Sequence, residues 1–483
     1  VRVIIIGGGI IGSSIAWRLA REGDNVTVLE RERLGHEASW AAAGMIAPQA
    51  EAQASGPFFA LCLKARERFA SIVASLRAES GIDPEYDDAG ILYLAFDETE
   101  AAELRERARW QANAGGTVEE LSPTQARKLE PGIAPEVTHA LYMPRDRRTD
   151  NRALTRAYIA AAVAKGATFR EGLRVDAVLS RDANCCGVRL HDGAELAADV
   201  VIDAAGAWAG DLAGIEADHV QIYPIRGQIL CFDGVRPLAG PSIFSLHGYL
   251  VPRRDGRLLA GSTMEDVGYD KRVTLEGISQ ISRSACKMMP SLKSLAFREA
   301  WAGLRPATKD FLPVLGPSPS LSNFFYATGH FRSGILLSML TGETIADLVH
   351  ERVPSFDLAP FAPARFTTAA RIRALGLVRD ILFRSRIDAA AQVLGVEVAY
   401  VSTLEQAQAL LSELTPAVVF ADLSDTNFPA VAVASAIKHS GKARLVGFAS
   451  HVDLKSLSSA RDAGFDLTLS RSEFTSRLGE LLS

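Results

Sequence analysis

The sequence predicts an α/β fold in three parts: a doubly wound, mainly parallel domain, an antiparallel-sheet domain, and a smaller doubly wound unit at the C-terminus. Three observations carry this prediction. The first thirty residues read as strand, glycine turn, helix and a second strand ending on an acid. Residues 220–304 hold short strands separated by turn residues. Beyond a Pro- and Ala-rich stretch at 354–370, strands and helices alternate over about a hundred residues, the pattern of a parallel sheet with helices on both faces.

Val1, Val3, Ile4, Ile5 and Ile6 form a β-branched run suited to a strand buried on both faces. Gly7-x-Gly9-x-x-Gly12 follows at once. That spacing lets the chain turn tightly, lets the backbone approach a pyrophosphate, and lets the next helix pack close to the strand. The helix carries Ile11, Ile15 and Leu19 on one face and stops near Gly23. Its N-terminus offers free N–H groups and a partial positive charge to a phosphate. A second strand over 25–29 delivers Glu30, eighteen residues beyond Gly12, where a carboxylate can accept the hydroxyls of an adenosine ribose. Together these features read as dinucleotide binding; the motif serves NAD and FAD alike.

Residues 37–46 bring small side chains that allow close approach to a flat or phosphorylated group, and Ser39 can donate to a phosphate oxygen. A helix over 58–79 shows Phe69, Ile72 and Leu76 on one stripe and is closed by Gly81. Residues 90–96 read as a strand of a different sheet, 98–114 as a charged helix, and Ser122-Pro123 as a new helix start. A helix over 154–164 ends at Gly166, with strands at 167–169, 174–179 and 187–190. The buried strand at 199–203 breaks on a small-residue turn. In the antiparallel block, strands are expected at 228–232, 250–252 and 258–261, with Arg254-Asp255-Gly256 as a hairpin turn and a helix over 275–288. Gly329 and Gly334 precede an apolar helix running to about 349, a second anion-accepting helix start. In the C-terminal unit strands are expected at 396–401, 417–422, 445–449 and 465–469, and helices at 404–414, 431–439, 454–463 and 473–482.

Hydrophobic content of 48% with 23% charged residues is that of a soluble globular protein, and a net charge of -5 gives no reason to expect nucleic acid. Five cysteines, odd in number and without metal-ligand spacing, fit a reducing cytoplasm better than a disulfide framework, and no metal is expected. The apolar opening is interrupted by three glycines and lacks a basic leader and a small-residue cleavage pattern, so it reads as structure rather than signal peptide. No apolar run reaches the length of a membrane span.

Six separated motifs then stand in order: Ile4-Ile5-Ile6-Gly7-Gly8-Gly9-Ile10-Ile11-Gly12, Ser39-Trp40-Ala41-Ala42-Ala43-Gly44-Met45, Ala204-Ala205-Gly206-Ala207-Trp208, Tyr249-Leu250-Val251-Pro252-Arg253, Trp301-Ala302-Gly303-Leu304-Arg305-Pro306 and Gly329-His330-Phe331-Arg332-Ser333-Gly334-Ile335-Leu336. With them, residues 1 to about 365 resemble the FAD-dependent D-amino-acid oxidase family, and within it the glycine oxidases of thiamine biosynthesis. The resemblance selects FAD. It implies a Rossmann-type FAD-binding domain built from 1–85, 145–219 and 305–352, and a substrate domain from 86–144 and 220–304. It further implies that Gly7, Gly9, Ile10, Ile11, Gly12, Glu30, Arg31, Ser39, Ala42, Ala43, Gly44 and Met45 hold the ribose, pyrophosphate and flavin, that Val175 meets the adenine, and that Ala205, Gly206 and Trp208 stand beside the cofactor. Gly329, His330, Phe331, Arg332, Ser333, Gly334 and Ile335 would lie under the ring. Arg305 matches the arginine that grips the substrate carboxylate, Tyr249 a tyrosine over the substrate, with His247, Met264 and Arg332 nearby.

Physical chemistry agrees with the clamp: a zwitterion's carboxylate is held bidentately by arginine's planar fork better than by lysine. The implied reaction is oxidative deamination of glycine, sarcosine or D-alanine by hydride transfer to flavin N5, with no side-chain base. Oxygen would take the electrons, giving peroxide, and the imine would be released, hydrolysed or passed to thiazole formation. The expected protein is a cytoplasmic homo-oligomer that meets a small amino acid and oxygen, with thiazole synthase as a partner. Two other readings stay open: a D-amino-acid dehydrogenase passing electrons to a quinone or carrier, and a flavin-binding regulatory module. A monomeric sarcosine oxidase fits less well, because no cysteine near Gly329 stands ready to tether the flavin.

After a connector at 353–375, residues 376–483 resemble a flavodoxin-like receiver domain of response regulators. Asp422 ends a strand where the phosphate-accepting aspartate would lie. The paired acids expected after the first strand are reduced to Asp380, and Ser470-Arg471 stands in place of lysine-proline. A magnesium site needs several oxygen ligands, so these departures imply a degenerate receiver used for docking a partner or for dimerisation.

Overall fold

The β-branched opening run becomes a central strand, Arg2–Ile6, paired in parallel with Asn25–Leu29 on one side and Val200–Asp203 on the other. Val3, Ile4, Ile5 and Ile6 are all buried, which is why the run is continuously apolar rather than alternating. The computed structural model describes residues 1–234, 240–366, 372–394, 396–413, 416–438, 443–450 and 452–482. Its chain forms two compact units, Val1–Ala364 and Arg365–Ser483.

In the first unit the sheet around Arg2–Ile6 has six strands, in the order Val314–Pro317, Phe324–Thr328, Val200–Asp203, Arg2–Ile6, Asn25–Leu29, Thr168–Arg170. Every pair is parallel except the hairpin of the first two. The fingerprint helix Ile10–Arg21 crosses Gly334–Val349 closely: Ser14 Oγ donates to the Ser338 carbonyl at 2.7 Å, and a Cβ on Gly342 would come within 2.9 Å of the Ser14 carbonyl oxygen. Trp17 of the same helix meets Tyr158 of Asn151–Ala164 edge-on, with ring centres 5.7 Å apart. The expected helix around 58–79 is Pro57–Ser80, closed by Gly81 in the left-handed region.

The second sheet of this unit has nine strands among the described residues. From one edge it runs Glu265–Asp266, Tyr223–Asp233, Arg257–Gly261, Gly248–Pro252, Ser242–Ser245, Ile91–Ala95, His139–Met143 and Glu119–Leu121, with Ala296–Ala307 also paired to Tyr223–Asp233. It was expected to be antiparallel, and one pair departs from that: Ser242–Ser245 runs parallel to Ile91–Ala95. The two are separated in sequence by a long excursion through the nucleotide sheet, which supplies the crossover that a parallel pair requires. Apolar side chains cover both faces. Ile91, Tyr93, Ala95, Tyr249 and Val251 belong to one core, while Leu92, Leu94 and Leu250 belong to the other.

In the second unit five parallel strands stand in the order Glu397–Tyr400, Ile372–Leu377, Val418–Asp422, Arg444–Ala449, Leu467–Ser470, with a core on each face. That 2-1-3-4-5 order is one of the two common doubly wound arrangements. The strand Ile372–Leu377 corrects the sequence expectation, which left residues 372–375 in the connector, and the helix Ile381–Leu394 was not foreseen as an element. Arg373 and Gly376 break the apolar run; Gly376 is bare because the Tyr400 ring fills its space, 2.6 Å from where a Cβ would stand. Residues 367–371 of the expected connector and the expected helix ends at 414 and 439 lie outside the described residues. Among the described residues no helix is long and apolar enough to cross a membrane.

Candidate active site

Gly7 has φ of 101°, and a Cβ on it would sit 2.4 Å from the Ala204 carbonyl oxygen; one on Gly12 would sit 2.0 Å from the carbonyl oxygen of Gly7. Only glycine lets strand, turn and helix close on one another there. The buried Glu30 carboxylate accepts the Gly8 N–H at 2.8 Å and the Glu32 N–H at 3.0 Å, and each oxygen keeps a lone pair for a ribose diol. Burial pushes its pKa up. Ser39, expected as a phosphate donor, also accepts: its Oγ takes the Ile10 N–H at 2.9 Å, leaving its own hydrogen to donate. The N-cap, Gly9, has no side chain to cap the fingerprint helix, so its first-turn N–H groups beyond that of Ile10 remain for an anion.

These groups open onto a cavity of about 290 Å³. Gly7, Gly9, Ile10, Ile11, Glu30, Arg31, Ser39 and Ala42 form one wall. Val175, Ala205, Gly206 and Trp208 form a second, and His330, Phe331, Arg332, Gly334 and Ile335 close the far end. Gly12, Ala43, Gly44, Met45, Gly329 and Ser333 do not line it but support its walls. A Cβ on Gly44 would fall 2.0 Å from the Thr149 carbonyl oxygen, Met45 pairs with Arg148, and the Ala43 carbonyl accepts from buried Arg253 at 3.1 Å. His330 is buried against Thr341, 2.9 Å from its hydroxyl, and burial pushes its pKa down to about 3, so the ring is neutral. An uncapped helix start, a buried carboxylate with spare lone pairs and a bare glycine backbone along one cavity suit the pyrophosphate and ribose of FAD.

Other lining residues escaped sequence reasoning, among them Arg174, Asp211 and Tyr269. Trp208 is held between the Arg31 guanidinium, 3.7 Å from its ring centre, and the Tyr269 ring, stacked at 5.7 Å. The Tyr269 hydroxyl donates to Asp211 at 3.0 Å.

Arg305 lies on Ala296–Ala307, and its guanidinium crosses Gly227, where a Cβ would be 2.2 Å from Nη2. Nη1 donates to the Thr263 carbonyl at 3.1 Å and Nη2 to Ser262 Oγ at 2.8 Å. Among the described residues no carboxylate pairs with it, and burial pulls its pKa down. Tyr249 is buried beside it, its pKa raised by burial, its hydroxyl 2.5 Å from where a Cβ on Gly261, the residue before Ser262, would stand. Arg332 is instead paired, its Nε 2.7 Å from Glu51 Oε2, and that carboxylate raises its pKa. His247 and Met264 stand apart from this group. His247 Nε2 lies 2.8 Å from both Glu100 and Lys287, and Met264 is 65% exposed; neither lines the cavity, and Arg305 and Tyr249 reach it only through their neighbours, since Leu304, Pro306 and Arg332 are the lining residues there.

Glu51 sits on a single-turn helix, Pro48–Glu51, braced from both ends. Asp146 accepts the Gln49 and Ala50 N–H groups at 3.1 and 3.0 Å, with Arg66 2.8 Å behind it. Arg107 and Gln111 donate to the Gln49 carbonyl at 3.2 and 2.6 Å. Sequence reasoning missed all of these. The available signal was spacing: Arg107 and Gln111 fall on the stripe of Ala101, Leu104 and Ala108, where a polar residue has to be paired.

The FAD dependent oxidoreductase family matches residues 2–348. The glycine oxidase of Geobacillus kaustophilus (strain HTA426) is 35% identical over 365 residues, 75% of this chain and 96% of that protein. The bifunctional protein ThiO/ThiG of Synechocystis sp. is 35% identical over 376 residues, 76% of this chain and 54% of that one. A crystal structure of the G. kaustophilus glycine oxidase shares the fold with a TM-score of 0.72 at 34% identity, covering 75% of this chain and 97% of that chain. With its glycine fingerprint, buried Glu30 carboxylate and cavity, the chain belongs to the FAD dependent oxidoreductase family and is an enzyme of its glycine oxidase type, with FAD as cofactor.

Proposed function

We propose that the enzyme oxidises glycine to the imine and then glyoxylate and ammonia, takes sarcosine and D-alanine as further substrates to give the corresponding 2-oxo acid and amine, and passes the electrons to oxygen as hydrogen peroxide. The observation that carries this reading is Arg305, a half-buried guanidinium with no acidic partner among the described residues, set beside the buried phenol of Tyr249. A desolvated cation left unpaired is costly, and a ligand carboxylate offsets that cost. FAD, held by the fingerprint, Glu30 and Ser39, supplies a two-electron acceptor for the hydrogen leaving the substrate α-carbon.

The chain's own side chains orient the substrate. Arg305 and Tyr249 grip the carboxylate, while Glu51 neutralises Arg332, so the clamp carries one net positive charge for one carboxylate. The substrate amine reacts unprotonated; neutral, buried His330 is bonded to Thr341 and does not serve as a base. The ThiO/ThiG relative supports a link to thiazole formation, with thiazole synthase as the proposed recipient of the imine.

Anaerobic addition of glycine, sarcosine or D-alanine is expected to bleach the flavin, and readmitted oxygen to restore its colour with peroxide formed. Bleaching that oxygen does not reverse would indicate a dehydrogenase using a quinone or carrier. No bleaching with any of the three would overturn the proposal.

For the C-terminal unit we infer a degenerate receiver that docks a protein or dimerises. The strand order supports it, as does Asp422 at the end of Val418–Asp422, ion-paired to Arg471 at 3.0 Å with the guanidinium over Phe383. Stoichiometric phosphorylation of Asp422 by acetyl phosphate and magnesium would refute this.

A further inference from the structure

Ser262 was not singled out by any motif, yet it is the side chain that stands between the two halves of the clamp. It follows Arg257–Gly261, a strand flanked on one side by Gly248–Pro252, which carries Tyr249, and on the other by Tyr223–Asp233, which pairs with the Arg305 strand. Gly261 pairs directly with Tyr249. The neighbouring backbone is bare on both sides: Gly261 makes room for the phenol and Gly227 for the guanidinium. The Ser262 oxygen receives a hydrogen from Arg305 Nη2 at 2.8 Å. An arginine can only donate, so the serine hydrogen is free to point elsewhere, and the Tyr249 hydroxyl, packed on the preceding Gly261, is the phenol within its reach. A phenol oxygen that accepts from serine turns its own hydrogen outward as a donor.

We propose that Ser262 is a positioning residue for the amino-acid carboxylate, relaying Arg305 to Tyr249 so that guanidinium and phenol form one directed chain of donors ending on the substrate. The inference rests on the reading of Arg305 as the carboxylate clamp. Within it, the cation polarises the serine hydroxyl, and the serine polarises the phenol, strengthening the last bond of the chain. Removing the hydroxyl leaves Arg305 short of an acceptor and lets Tyr249 turn its hydrogen elsewhere.

The test uses the holoenzyme, with acetate as the carboxylate probe, its Kd read from flavin absorbance, and glycine as substrate. For Ser262→Ala, acetate Kd and glycine KM are expected to rise about tenfold, the size of one well-made hydrogen bond, with kcat within about twofold. In Ser262→Thr, which keeps the hydroxyl, both are expected to return to near the natural values. The ultraviolet titration of Tyr249, identified by difference against Tyr249→Phe, is expected to move to higher pH in Ser262→Ala only. Acetate Kd and glycine KM unchanged in Ser262→Ala, while Arg305→Leu weakens both, would overturn the relay and leave the clamp standing. Loss in Ser262→Ala that Ser262→Thr does not restore would also overturn it, as a packing effect. An Arg305→Leu variant that binds acetate normally would remove the clamp reading and the relay together.

Discussion

Gly227 is bare because the Arg305 guanidinium lies across it. A Cβ would come within 2.2 Å of Nη2, and the flexible end of an arginine yields before a sheet backbone does. Gly227→Ala is therefore expected to keep fold and flavin content while raising KM for glycine by about tenfold or more, checked by kinetics beside the visible spectrum. Asp203 poses a different question. It is fully buried at the end of its strand; Oδ1 accepts the Ala205 N–H at 2.9 Å, while Oδ2 has no hydrogen-bond partner among the described residues. Burial pushes this carboxyl up to about 7. The folded state thus holds the proton more tightly than the unfolded chain, so the stabilisation is full below the ordinary carboxylate range and is lost as pH rises through about 7. Melting temperature is expected to fall across that range more steeply for the natural chain than for Asp203→Asn, whose amide cannot ionise; parallel curves would refute the assignment. Arg305 and Tyr249 were legible because each stands inside a motif. Glu51 and Ser262 were not, because their partners, Arg332 and Arg305, lie hundreds or tens of residues away and only sheet pairing and a braced turn bring them together.

At the level of elements, long periodic segments were read well, as were the short strands at 250–252 and 258–261, while other short strands were missed. The helix expected over 154–164 forms as Asn151–Ala164, with Asp150 capping the Ala153 N–H, an N-cap signal that extends it by three residues. Ser242–Ser245 is four residues long with polar ends, and His139–Met143 is five; runs of that length carry no period by which to tell strand from loop. Ile372–Leu377 was hidden by the Pro- and Ala-rich stretch before it and by its own glycine. The contact between the fingerprint helix and Gly334–Val349 depends on Gly342 lying against the Ser14 backbone. Gly342→Val would drive the helices apart where the nucleotide fold is closest packed. It is expected to cost about 1–3 kcal/mol and to weaken FAD retention, measured by chemical denaturation and by flavin content after dialysis.

For the whole molecule, the two large sheets of Val1–Ala364 followed from the change between parallel-sheet and hairpin signals along the chain, whereas the parallel pair inside the second of them did not, since it joins segments about 150 residues apart. Every residue lining the cavity lies between Ile6 and Ile335, inside the first compact unit. A chain ending at Ala364 is accordingly expected to stay yellow and to oxidise glycine within about twofold of the full-length rate. A colourless or inactive product would show that Arg365–Ser483 is needed for the chemistry.

Of the five tryptophans, Trp208 alone lines the cavity, clasped between Arg31 and Tyr269. An indole in that position has its emission set by what lies against it, and filling the cavity beside it changes its surroundings directly. The protein therefore carries a built-in fluorophore for that end of the cleft. A colourless ligand entering beside Trp208 can be followed through it, so occupancy there can be separated from whatever absorbs visible light elsewhere in the cleft.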